Sequence, residues 1–354
     1  MTIHTTTFST RLGIDYPIVQ GPMNGASSPE LAAAVSNAGG LGSFAAALLS
    51  PEAIIDGIRK VRALTSKPFN VNLFVLDTPV IDPVAITQSE QRLAPFRESL
   101  GLPVAPTPTR FSEVLAPQLA ALLEAAPPVV SFTFGILDAS QVAQFKRAGC
   151  QVIGTATTVS EALAWEQAGA DFICAQGAEA GGHRGTFMGD VEQSCIGLMA
   201  LIPQVAAAVA IPVIAAGGIM NGRGIVAALT LGAQAAQLGT AFLSCPECPI
   251  PQAWKAALLT ARDDSTRLTR TFSGRYARGI VNDFMEQMRP YENDVPSYPI
   301  QNALTGPLRQ AAGKLGRADM IALWAGQGVS MSRTMAAADL VRTLAAEMAE
   351  VARA

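Results

Sequence analysis

The stretch "QAGADFICAQG", Gln167 to Gly177, decides the architecture of this 354-residue chain. It ends an Ala-rich helical run, stops at a glycine and continues into a short apolar segment. "NAGGLGSFAAA" (Asn37 to Ala47), "RAGCQVIGTAT" (Arg147 to Thr157) and "LGAQAAQLGTAFL" (Leu231 to Leu243) repeat that order. Glycine best takes the left-handed position just past a helix, and an unbroken apolar run fits a strand buried on both faces. Alternating helices and such strands build a parallel sheet joined by crossover helices.

Strands are expected at about Ile18–Met23, Gly42–Ala46, Phe69–Val75, Val129–Phe134, Gln151–Thr155, Phe172–Ala175, Val213–Ala216 and Ala236–Leu238. Eight is the number that closes a barrel. Helices opening at "SPEL" (Ser28), "SPEA" (Ser50) and "VSEA" (Val159) place Ser and Glu where helix starts prefer them. An open doubly wound sheet would carry a GxGxxG turn after its first strand, where this chain has "QGPMNGASSPE" from Gln20. The expected fold is α/β, a (β/α)8 TIM barrel over residues 1–244. A Pro-rich insertion at about 77–110 is long enough to cap the barrel mouth, and an extension over 245–354 is too dense in Arg, Gly and aromatics to be a plain linker and is expected to pack on the barrel.

Hydrophobic residues make up 49% of the chain and charged ones 15%, against a usual charged share of about a quarter. Such a chain buries much of itself. A net charge of −3 offers no basic face for a phosphate backbone, so no nucleic-acid partner is expected. The longest apolar run, Val205 to Ala216, is too short to span a bilayer and is broken by Pro212, and the N-terminus lacks a signal-peptide pattern. A cytoplasmic protein without membrane attachment is expected. Of five cysteines, Cys245 and Cys248 form a CxxC, but no second pair or nearby His completes a metal site, so no metal is expected.

In barrels the chemistry sits on the loops after the strands, and phosphate commonly binds after the seventh and eighth. Here those loops read "AAGGI" and "QLGTAF", in which Gly217, Gly218 and Gly239 bare the backbone N–H groups at an expected helix start and Thr240 adds a hydroxyl. After the sixth strand comes "GAEAGGHRG", with Gly181, Gly182 and Gly185 around His183. The chain has one other histidine, His4, in a Thr-rich tail read as disordered. A planar ligand can lie against such a glycine loop beside the imidazole, which makes His183 the candidate for proton work. Arg184 is read as a loop charge able to screen an anion. Strand-end amides (Gln20, Asn24, Asn70, Asn72 and Gln176) suit the polar edge of a heterocycle such as a flavin, with Met23 beside them.

In order along the chain, "YPIVQGPM", "NVNLF", "AQGAEAGGHRGTF", "IPVIAAGGI", "QLGTAFL", "SGRYARGIVNDF", "YPIQNALTGPLR" and "LWAGQG" resemble the FMN-dependent nitronate monooxygenases, formerly 2-nitropropane dioxygenases. The likeness runs over nearly the whole chain. It implies a TIM barrel holding FMN without a covalent bond, through Gln20, Gly21, Pro22, Met23, Asn72, Gln176, Gly181, Gly182, Gly217, Gly218, Gln237, Leu238, Gly239 and Thr240. It implies His183 as catalytic base and places Tyr298, from the "YP" block, in the substrate pocket. The implied reaction oxidises an alkyl nitronate, such as propyl-2-nitronate or propionate 3-nitronate, with O2 to a carbonyl compound and nitrite. The chain departs from the pattern at Gly21, where many relatives have Ala, and at Leu76 and Asp77, where many carry a His.

Flavin-dependent NAD(P)H:quinone and enoyl-ACP reductases share the barrel and a Gly-rich His loop and are the nearest alternative. A sugar-phosphate isomerase or synthase would place a carboxylate or lysine at a strand end, and no Lys falls in these blocks. A flavin carrier without turnover is a third possibility. Ala-rich outer helices make a homodimer possible.

Overall fold

The computed structural model describes residues 5–103 and 107–353, so the reading of His4 lies outside the described residues. Eleven strands occur among them: β1 (Ile18–Gln20), β2 (Gly42–Ala45), β3 (Phe69–Phe74), β4 (Val129–Thr133), β5 (Gln151–Ala156), β6 (Phe172–Gln176), β7 (Gly182–His183), β8 (Val213–Ala216), β9 (Ala235–Leu238), β10 (Thr266–Thr269) and β11 (Ala277–Ile280). Eight of these form one parallel sheet in the order β1-β9-β8-β6-β5-β4-β3-β2. The seventh and eighth strands expected from the sequence are β8 and β9. The two edges meet through a parallel bridge between Val19 and Leu41, where Gln20 N–H donates to Leu41 C=O at 2.9 Å and Leu41 N–H to Ile18 C=O at 2.9 Å. The sheet is therefore a closed (β/α)8 barrel.

Local chemistry explains the repeat. Gly39, Gly149, Gly169 and Gly232 stand between helix and strand with φ from +88° to +108°, the left-handed region that costs a side chain energy. Ser28 and Ser50 cap their helices by accepting from Leu31 N–H and Ala53 N–H. The third expected start differs. Thr158, not a serine, caps the helix Val159–Ala168, and Glu161 turns inward instead of decorating the first turn. Its carboxylate accepts Thr157 N–H at 2.6 Å and Thr157 Oγ1–H at 2.7 Å, with Phe187 N–H and Met188 N–H on the other oxygen. A buried carboxylate with four donors is a clamp on the loop after His183.

Two apolar cores divide the labour. One packs the helices on the outside of the sheet. The other fills the barrel with Val19, Leu41, Val129, Ile153, Phe172, Cys174, Ile214 and Ala235. Phe8, on the short helix Thr7–Leu12, plugs the lower end of that inner core, its ring 4.9 Å from Phe172 and edge-on to it. With the bottom sealed, a ligand can enter only at the strand C-termini.

The Pro-rich insertion supplies the helix Pro83–Ser99, which leans on the helix Ile300–Lys314 of the extension through Ser89 Oγ to Gln301 Oε1 (2.6 Å) and Arg97 Nη2 to Leu304 C=O (2.9 Å). A second sheet, β10-β11-β7, takes strands from both sides of residue 244. No described helix is long and apolar enough to cross a membrane.

Candidate active site

A cavity opens at the C-terminal ends of the barrel strands. Its floor and one wall are Gly21, Pro22 and Met23 after β1, Asn72 on β3, Ser131 and Thr133 on β4, Thr155 on β5, and Gln176 on β6. Gly181, Gly182 and His183, then Gly217 and Gly218 after β8 and Gln237, Gly239 and Thr240 at β9, complete the ring. Tyr298, Asn302, Arg309 and Trp324 come down from the extension. Nearly every residue singled out in the sequence therefore meets in one place.

Two do not line it. Leu238 is buried and uses its carbonyl to accept from Gly21 N–H at 2.8 Å. Gln20 is buried beneath the cavity, where its amide nitrogen donates to Gly21 C=O and to Ser27 Oγ (2.8 Å) and its oxygen accepts from Ser43 N–H (2.8 Å). Both shape the Gly21 turn from below. Gln176 reaches the cavity, yet its amide is also spent on protein, donating to His183 C=O at 3.0 Å and accepting from Gly185 N–H at 2.8 Å. A buried amide at a strand end finds the nearest irregular backbone, which here is the histidine loop. Asn72 donates to Ser131 Oγ (3.0 Å) and Ser131 C=O (3.1 Å), leaving its oxygen without a protein donor among the described residues.

The glycine turns at Gly217 and Gly218 have φ +138° and +67°, so only glycine sits there without strain. They do not begin a helix, as the sequence reading had it. That helix, Gly222–Thr230, starts later, behind an Asn221 cap that accepts from Gly224 N–H at 2.9 Å, because the left-handed pair cannot belong to a right-handed turn. Gly239 leads into a single turn, Thr240–Leu243. Thr240 Oγ1 accepts Gly326 N–H at 2.9 Å and keeps its own proton for the cavity. A side chain at Gly181 would lie 2.5 Å from Gly326 N, so the histidine loop and the "LWAGQG" segment pass backbone against backbone.

Arg184 corrects another expectation. It is fully buried and screens no ligand. Its guanidinium donates to the carbonyls of Gly177 (2.6 Å), Ser194 (3.0 Å) and Gln176 (3.2 Å), tying the loop into its curve. An Arg beside His183 in sequence points the other way because β7 pairs with β11, Ala277 opposite His183 and Arg278 opposite Gly182, and alternate side chains of a strand face opposite sides.

His183 is walled by Phe134, Tyr298 and Trp324, with ring centroids 5.6, 5.6 and 5.4 Å away. Phe134 holds φ +78°, an uncommon conformation for an aromatic residue that sets its ring into the wall. Nε2 of His183 lies 2.8 Å from Ser273 Oγ. The same hydroxyl stands 3.0 Å from Arg275 C=O; with its proton donated there it accepts from His183, the pairing that puts the ring proton on Nε2 and the lone pair on Nδ1. Burial first, then the positive charges of Arg275 and Arg309, push the imidazole down to about 3. His183 is neutral at physiological pH. Burial holds both guanidinium groups down at about 10, still charged. Arg275 stacks 4.1 Å over Phe134 and borders an adjoining cavity lined by Leu76, Asp77 and Phe187. Tyr298, pushed up to about 12 chiefly by burial, keeps its phenolic proton.

Ser131, Thr133, Thr155, Phe134, Ser273, Arg309 and Trp324 escaped the sequence reading. The two threonines stand at strand ends, the signal that found Asn72, and bond each other at 3.2 Å. Ser273, Arg309 and Trp324 lie in quoted blocks of the extension, but nothing local to them says that they face a histidine 90 to 141 residues earlier in the chain. Among the described residues no three His, Cys, Asp or Glu side chains gather to hold a metal. Cys245 and Cys248 are buried free thiols.

A barrel whose strand ends carry a glycine-lined cleft beside one neutral imidazole has the architecture of an enzyme. The chain belongs to the nitronate monooxygenase family, which it matches over residues 6–347. It is 41% identical over 324 residues, 91% of each chain, to a probable nitronate monooxygenase of Staphylococcus aureus strain Newman. It superposes on the nitroalkane oxidase of Streptomyces ansochromogenes with a TM-score of 0.90 at 44% identity, covering 98% of this chain and 99% of that one. FabK of Thermotoga maritima is more distant, with a TM-score of 0.77 at 28% identity over 99% and 97% of the two chains. The protein is an oxidoreductase of the nitronate-oxidising class.

Proposed function

We propose that this protein is an FMN-dependent enzyme that oxidises an alkyl nitronate with O2 to a carbonyl compound and nitrite. The observation that carries the reading is the meeting, in one cavity, of the glycine turns after β8 and β9 with the one imidazole among the described residues. The residues fit a flavin. The turns at Gly217, Gly218 and Gly239 put no side chain into the cleft, so a phosphate can approach the backbone donors with Thr240 Oγ1 beside them. Asn72 Oδ1 and the Gln237 amide offer hydrogen bonds to a heterocycle's polar edge, and Gly181 and Gly182 leave room for a flat ring against the loop. When bound, the flavin supplies the electron transfer to and from the organic substrate and oxygen.

The chain's own contribution is positional and electrostatic. His183 presents Nδ1 as a proton acceptor, held by Ser273 at one nitrogen and by Gln176 at its carbonyl. The positive field of Arg275 and Arg309 makes its protonation costly until an anion enters. This favours nitronates, which arrive charged, over neutral nitroalkanes, which must lose a carbon-bound proton to a weak base. Phe134, Tyr298 and Trp324 keep bulk water from the imidazole.

An oxygen-electrode assay with propyl-2-nitronate and propionate 3-nitronate, with and without NADH, tests the proposal. A yellow protein with an FMN spectrum that consumes O2 on nitronate alone is the expected result. Anaerobic bleaching by NADH but not by nitronate would assign a reductase instead, and a colourless protein that refuses FMN would remove the cofactor.

A further inference from the structure

The extension brings an uncompensated cation to the cavity. Arg309, on the helix Ile300–Lys314, opens onto the same space as His183, Tyr298 and Trp324. Two edges of its guanidinium are fixed by its own helix: Nε donates to Thr305 Oγ1 at 3.2 Å, and Nη2 to Asn302 C=O at 2.9 Å and Asn302 Oδ1 at 2.8 Å. Thr305 is itself buried and bonded back to Gln301 C=O at 3.1 Å, so the fork has a rigid base. Nη1 has no protein acceptor among the described residues. No described carboxylate lies within 4.0 Å of the group, although twelve ion pairs occur among the described residues. The Tyr298 phenol beside it, pushed up to about 12 chiefly by burial, stays protonated and supplies no negative charge.

A guanidinium held rigid on two edges, with its third opening onto the cavity and no carboxylate beside it, is suited to a negative occupant. We propose that Arg309 is the anion receptor of the substrate compartment: its free Nη1, with the Tyr298 hydroxyl as a second donor, takes the oxygens of a small planar oxyanion, which in the reaction is the nitronate. A nitronate has two coplanar oxygens on one nitrogen, and a guanidinium presents coplanar N–H donors that match such a pair. Lysine, a point charge on a flexible stem, would reproduce the attraction without the fork. The receptor faces His183, so an anion held there offsets the charge that keeps the imidazole neutral. The assignment of nitronate as the anion rests on the proposed reaction, but the receptor itself does not.

Nitrate is the probe, because it is planar, anionic and not turned over. Binding of sodium nitrate to the purified holoenzyme is followed by calorimetry at constant ionic strength, alongside nitronate kinetics, for wild type, Arg309→Met and Arg309→Lys. Arg309→Met should raise the nitrate Kd and the nitronate KM on the order of 100-fold, with kcat changed less. Arg309→Lys should recover part of both, and flavin content and melting temperature identify folded protein. Should Arg309→Met fail to fold, Arg309→Lys carries the test through its weaker nitrate binding. An unchanged nitrate Kd in whichever variant folds, or no nitrate binding by wild type, overturns the receptor. Nitrate binding that follows this pattern in an enzyme inert toward nitronates leaves the receptor standing and removes the proposed reaction.

Discussion

Lowering the pH should destabilise this protein through His183 by a calculable amount. The imidazole holds its proton with a pKa of about 3 in the folded chain, against about 6.5 when unfolded. Between those values the unfolded chain carries a proton that the folded chain refuses, so stability is full above about pH 6.5, falls as the pH drops below it, and stops falling only near 3. At about 1.4 kcal/mol per pH unit, the whole gap amounts to about 5 kcal/mol, and the part lying between pH 7 and pH 4.5 to about 2.5 kcal/mol. These are upper bounds, because solvent in the cavity screens part of the charge. The assay is urea unfolding of wild type and His183→Gln, at equal cofactor loading, at both pH values. Carboxylates elsewhere titrate equally in the two proteins, so the difference between their acid losses isolates the imidazole. Wild type should lose about 2.5 kcal/mol more than the variant. Equal losses would refute the claim that burial and the two guanidinium groups keep His183 neutral.

The remaining expectations concern the site and its support. His183→Asn should lower nitronate turnover by roughly 10²- to 10⁴-fold in an oxygen-electrode assay while flavin content, read from the visible spectrum, is retained. Gly218→Val places a branched side chain at φ +67° with its Cβ 3.1 Å from that of Glu179, and the purified protein should emerge with little bound flavin. Arg184→Leu strips three carbonyls of their donor and should lower the unfolding free energy by about 3 kcal/mol, with calorimetric melting as the check.

The barrel was legible because each of its strands announces itself locally. A helix, a left-handed glycine and an apolar run recur, and the observed strands fall where those runs were read. The cleft was legible for a similar reason, since Gly217, Gly218, Gly239 and the loop around His183 are glycines that a plain turn does not require in such number. Two kinds of information were not local. Gln20 and Gln176 looked like ligand contacts, yet their hydrogen bonds go largely to backbone, which depends on which loop passes overhead. Ser273 and Arg309 gain their meaning from His183, and Ser273 is separated from it by 90 residues. Composition and period carry no trace of such a pairing. Arg184 shows the converse: adjacency in sequence to the candidate base put it in the wrong place, because strand alternation turned it inward.

The short strand β7 draws its hydrogen bonds from β11, beyond the last barrel strand. A chain cut after residue 244 would retain all eight staves of the barrel and still lose the edge against which Gly182 and His183 are aligned. A relative's extension grafted in its place would therefore bring a new edge for the imidazole as well as a new wall for the cavity.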